Sequence, residues 1–146
     1  MTDLPIRPGD EATFSKTVSE SDVYLFAGIT GDLAPNHVNE ALMAQSAYGK
    51  RIAHGALLVG FMSNCSTRIL EGRHTRAETA VSLGYDRIRF LAPVFIGDTI
   101  TVTYRTSEID TERRRSRSSI EITNQDGKLV AVATHILAWV ANDGGA

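Results

Sequence analysis

The stretch "RIAHGALLVGFMSNCSTRIL", residues 51–70, decides how the rest of the chain can fold. From Ala56 to Leu70 its apolar residues lie almost all the way round a helical wheel instead of along one stripe. A helix of that kind has to be enclosed. At about 1.5 Å of rise per residue it is about 20 Å long, the depth of a small domain's core. The reading therefore predicts a buried central helix and requires the remaining chain to wrap it.

The wrapping material lies downstream. After residue 76 the apolar period changes from helical to two. Val81 and Leu83 alternate, as do Ile88 and Phe90 across Arg87 and Arg89, then Ile100, Val102 and Tyr104, then Ile120 and Ile122. "NQDGK", residues 124–128, is an Asp-Gly turn signal between two such runs. "LVAVATHILAWV", residues 129–140, has little polar alternation and reads as a strand with neighbours on both sides. Upstream, residues 12–18 read as a short strand. "SESDVYLFAGITGD" reads as a helix capped by Ser19 or Ser21 and ended by Gly28 or Gly31. Pro35 disfavours helix at Ala34, so residues 31–36 are expected to be loop. Asn39 is expected to cap a second helix, "EALMAQSAYG", that Gly49 stops. Helices first and antiparallel strands afterwards give an α+β class, with one long antiparallel sheet wrapped around a buried helix. That is the hot-dog arrangement.

Bulk properties narrow the function classes. The 146 residues suit one domain, taken as 1–146, with 42% apolar and 22% charged residues. A formal charge of −2 gives no global attraction for nucleic acid or an acidic membrane surface. Cys65 is the only cysteine, so no disulfide closes within the chain; core packing is its expected role. "MTDLPIRPGDE" lacks the apolar centre of a signal peptide, and no run approaches the ~18 apolar residues of a membrane helix. A cytoplasmic protein is the expectation.

Three groups of residues could carry chemistry. Asp32 and His37 lie five positions apart in "TGDLAPNHVNE", residues 30–40, on a segment that Gly31 and Pro35 stiffen. A carboxylate and an imidazole that share one water can exchange protons with it; equally, Asp32 can cap a turn while His37 sits on the surface. "AHGA", residues 53–56, opens the central helix, where unpaired N–H groups and a partial positive charge gather. Gly55 lets an oxyanion approach the backbone there, or else merely relieves crowding. The basic run "ERRRSR", residues 112–117, reads as a solvated hairpin tip or edge strand, with no neighbouring aromatics to stack nucleotides. Arg87 and Arg89 are expected to face outward. His54, His74 and His135 show no metal-ligand spacing with one another. Ser63, eight residues after Gly55, can share its helix face.

"GDLAPNHVNEA" followed by "IAHGALLVGFMS" resembles the MaoC-like, (R)-specific enoyl-CoA hydratases, and "FLAPVFIGDTITV" resembles their strand–turn–strand segment. The resemblance runs over about residues 8–140. It implies a hot-dog fold, a homodimer or dimer of dimers, and a CoA thioester as substrate. It places Asp32 and His37 on the family's catalytic pair, Gly55 on the glycine whose N–H meets the thioester oxygen, and Ser63 on a serine near the site. The implied reaction is reversible hydration of a trans-2-enoyl-CoA, with no metal or other cofactor. Three positions depart from the family pattern: Ala34 replaces an asparagine, Asn36 a branched apolar residue and Asn39 an aspartate. The rival readings are a hot-dog thioesterase and a non-catalytic acyl-CoA binding protein. Many such thioesterases take a carboxylate from the central helix, whereas residues 55–70 contain no Asp or Glu. Leu33, Ala34 and Phe61 are expected to wall the pocket.

Overall fold

The structure, a computed structural model, describes residues 3–142. Its elements are β1 (Glu11–Thr17), α1 (Glu20–Thr30), α2 (Pro35–Val38), α3 (Glu40–Met43), α4 (Gly55–Arg68), β2 (Glu78–Phe90), β3 (Thr99–Asp110), β4 (Arg115–Thr123) and β5 (Leu129–Ala141). The five strands form one antiparallel sheet in the order β1-β3-β4-β5-β2. This is the α+β hot-dog arrangement, with α4 lying in the curve of the sheet. Strand β5 is flanked on both sides, as its apolar run requires, and β2 is an edge.

Alternation along the strands aims one set of side chains at α4. Ile100, Val102 and Tyr104 of β3 and Ile120 and Ile122 of β4 are fully buried, and meet Leu58, Met62 and Cys65 of α4. Each such apolar side chain removed from water contributes about 1.5–3 kcal/mol before entropy is counted. The pairing of β2 with β5 shifts register between Ser82 and Gly84 and again between Asp86 and Arg89, with Arg87 at a φ of 53°. Extra residues on one strand bend it, which lets the sheet curl.

Local signals place the upstream elements. Ser19 and Asp22 form a capping box at the head of α1, and Gly31, at a φ of 77°, ends it. Two expectations fail. The segment after Asn39 is not one helix: α3 stops at Met43 and gives way to turns up to Lys50. The Ser46 hydroxyl donates to the Met43 carbonyl at 2.7 Å and accepts the Tyr48 N–H at 3.2 Å, so it competes for the groups a longer helix needs. Nor is α4 enclosed all round. Ala56, Gly60, Ser63 and Thr67 are exposed along one flank. Their small side chains left the apolar wheel looking continuous while offering little surface to bury.

A polar track crosses the interior. The His135 ring on β5 lies 2.8 Å from the Tyr104 hydroxyl through Nδ1 and 2.7 Å from the Ser82 hydroxyl through Nε2, while Tyr85 stacks on it at 4.4 Å. Burial pushes His135 down to about 4 and Tyr104 up to about 12. The run at residues 112–117 turns the β3–β4 hairpin: Arg113 meets Asp110, Arg114 pairs with Glu78, and Arg117 with Asp86.

Candidate active site

The site grows from the end of α1. Beyond Gly31, the Thr30 hydroxyl donates to the Phe26 carbonyl and accepts the Asp32 N–H, and an Asp32 carboxylate oxygen accepts the Ala34 N–H at 3.3 Å. Asp32 thereby fixes its own turn, with its side chain still exposed. Pro35 does not leave the segment as loop: it occupies the first turn of the one-turn helix α2, where its missing N–H costs nothing, and that helix carries His37. His37 is 8% exposed, and its Nδ1 lies 2.7 Å from the Ile52 carbonyl. A carbonyl only accepts, so Nδ1 bears a hydrogen, and in the neutral tautomer the lone pair lies on Nε2.

His54 caps the head of α4 and is 2% exposed. Its Nε2 lies 2.9 Å from the Asp32 backbone carbonyl, so Nε2 donates and Nδ1 is left as a buried acceptor with no partner among the described residues. The His37 and His54 rings stack at 3.7 Å with 25° between planes, and the Phe26 ring lies tilted at 57° and 4.7 Å from His54. One oxygen of Asp32 and one ring nitrogen from each histidine lie within 4.8 Å of one another. Such a trio could attract a divalent cation.

A cavity of about 430 Å³ opens beside this cluster. His37 and Gly55 share its wall with Tyr48, Leu58, Phe90 and the turn from Leu91 to Val94. The Ile52 N–H donates to the Asn36 carbonyl and the Ala53 N–H to the Val94 carbonyl, tying α2 and that turn to the start of α4. The Gly55 N–H meets no acceptor among the described residues, as the first amide of a helix should.

The structure thus brings Asp32 within 4.8 Å of His37 and sets His37 and Gly55 on one cavity wall, while Asp32 itself is not among the cavity-lining residues. Ser63 stands apart: it is exposed two turns along α4, against the Tyr85 hydroxyl, and is not among the cavity-lining residues. Leu33, Ala34 and Phe61 do not line the cavity either. Leu33 is 60% exposed, and Phe61 packs on Phe14 at 6.1 Å. Sequence reasoning missed His54, whose position beside Gly55 at the predicted helix start was the available signal. Ala34, where the resemblance expects asparagine, heads α2 with no side-chain cap, whereas Asn39 caps α3 by accepting the Leu42 N–H at 3.0 Å.

Residues 5–128 match the model of the MaoC like domain. An (R)-specific enoyl-CoA hydratase of Rhodospirillum rubrum is 38% identical over 109 residues, covering 75% of this chain and 72% of that protein. A 3-hydroxybutyryl-CoA dehydratase of Methylorubrum extorquens is 39% identical over 102 residues, covering 70% of this chain and 61% of that protein. Among solved structures, the (R)-hydratase from A. caviae involved in PHA biosynthesis superposes with a TM-score of 0.78 at 26% identity, covering 91% of this chain and 96% of that one. Sequence, fold and the placing of the matched motif agree: the chain belongs to the MaoC-like domain family.

Proposed function

We propose that the protein is a hydro-lyase that reversibly hydrates a trans-2-enoyl-CoA to an (R)-3-hydroxyacyl-CoA. One observation carries the reading: an Asp32 carboxylate oxygen lies within 4.8 Å of a His37 ring nitrogen, and His37 shares a cavity wall with the residue whose amide opens α4. A water held by that pair adds its oxygen to C3 and gives one proton to the pair, and one proton from the pair goes to C2. Atoms and charge balance, and no metal or redox cofactor enters. Negative charge gathers on the thioester oxygen, where the Gly55 N–H and the helix dipole meet it. One such donor is typically worth ~3 kcal/mol, or about a hundredfold in rate. Acid–base assistance supplies about 10²–10⁴-fold.

The working unit in this reading is a homodimer in the cytoplasm. It is supported by the exposed flank of α4 and by Val81, Leu83 and Val140, which are 37%, 50% and 53% exposed at the β2 edge and its neighbour. A thioesterase drawing its carboxylate from the central helix is disfavoured, because Gly55–Arg68 contains neither Asp nor Glu.

The test is turnover of a chain-length panel of trans-2-enoyl-CoAs, followed by loss of enoyl-thioester absorbance. Asp32→Asn and His37→Ala are expected to cut turnover at least about a hundredfold with unchanged circular dichroism. Near-normal rates in both variants would discard the mechanism. Release of free thiol would favour the hydrolase, and tight binding without turnover the binding protein.

A further inference from the structure

We infer that His54 is a positioning residue that sets the spacing of the three groups on which the proposed hydration rests. The two histidines of the cluster do different work. His37 lines the cavity, whereas His54 is 2% exposed, stacked on His37 at 3.7 Å and met by the tilted Phe26 ring at 4.7 Å. Its single donor is spent on the Asp32 backbone carbonyl, 22 residues earlier in the chain. Its backbone is the cap from which Gly55 and α4 proceed. One side chain therefore links the loop of the carboxylate, the ring of the imidazole and the helix end that presents the amide. The orphaned Nδ1 reinforces this assignment: a ring there for packing alone would not leave a buried acceptor unmet, a defect that costs stability and persists when the ring's other contacts need it.

Two substitutions separate the donor from the ring. His54→Gln puts an amide N–H as many bonds from the backbone as Nε2, while His54→Phe keeps the stack and removes the donor. His54→Phe is expected to lower kcat about tenfold to a hundredfold, the size of effect that misplacing reacting groups by about an ångström produces, while KM changes less than about threefold. His54→Gln is expected to restore most of the loss. Long-range proton–nitrogen spectra of the imidazoles supply a readout that does not depend on turnover, with His54 expected in the Nε2–H form. A wild-type kcat in His54→Phe, a His54→Gln as slow as His54→Phe, or an Nδ1–H ring at His54 each overturns the inference while leaving the hydratase reading standing. A wild-type protein that hydrates no enoyl-CoA overturns that reading and this role with it.

Discussion

A β-carbon built on Gly55 would sit 2.5 Å from the Phe90 ring, so the last residue of β2 seals against the bare backbone that opens α4. Glycine here serves packing and access together: the same missing side chain that admits the ring leaves the amide beside it open to the cavity.

Gly55→Ala is therefore expected to act through Phe90. The ring is 52% exposed and can swing, so unfolding should shift by no more than about 1 kcal/mol. The displaced ring enters the cavity, and KM for an enoyl-CoA should rise about tenfold or more. Adding Phe90→Ala should recover most of the KM change. A collapse in Tm with unchanged KM would show that the ring is fixed.

The neutral His135 makes folding sensitive to acid. Its imidazole is held at about 4 in the folded protein against an ordinary 6.5. Above 6.5 neither state is protonated and the full stability is present. As pH falls from 6.5 toward 4, the unfolded chain takes up a proton that the folded one refuses. The loss approaches about 3 kcal/mol. Urea unfolding at several pH values checks this, and His135→Gln should flatten that window. Tyr104 acts at the other end: its hydroxyl is raised by burial, so stability falls once pH exceeds the ordinary tyrosine value near 10.

Ala34 leaves the head of α2 without a side-chain cap, with its backbone already extended at φ −56° and ψ 139°. Ala34→Asn is expected to stabilise the protein by about 1 kcal/mol, seen as a higher Tm. A lower Tm would mean that the added amide disturbs the neighbouring Asp32 turn.

Arg51 ties α1 to α3: it reaches Glu20 at 3.0 Å and the Tyr24 hydroxyl at 2.8 Å on α1, and Glu40 at 2.5 Å on α3. A lysine keeps the charge but not the fork that spans two carboxylates. Arg51→Lys should cost about 1 kcal/mol in unfolding experiments, and should lower kcat as well, because the next residue's carbonyl holds the His37 proton.

The sheet could be read from residue order because alternation over Ile100, Val102 and Tyr104, or Ile120 and Ile122, has one geometric solution. The head of α4 could be read too, since a glycine before an apolar wheel marks a helix start. Two kinds of feature could not. Ser46 looks acceptable in a helix until its hydroxyl is seen turned back on Met43, a local competition that propensity does not rank. The pairing of His54 with Asp32 spans 22 residues and depends on how α1 and α4 pack, which no spacing rule encodes. The cavity walls were misplaced for the same reason: the turn from Leu91 to Val94 is distant in sequence from the motif it faces.

The trio of Ser82, His135 and Tyr104 has a handedness of its own. A neutral imidazole owns one proton for two nitrogens, and both nitrogens are engaged by hydroxyls. Either the tyrosine gives and the serine receives, or the serine gives and the tyrosine receives; no mixed arrangement satisfies the ring. The polarity of this wire, from Tyr104 on β3 through His135 on β5 to Ser82 on β2, is therefore a single binary variable. A neutron map that locates one of its hydrogens fixes the rest.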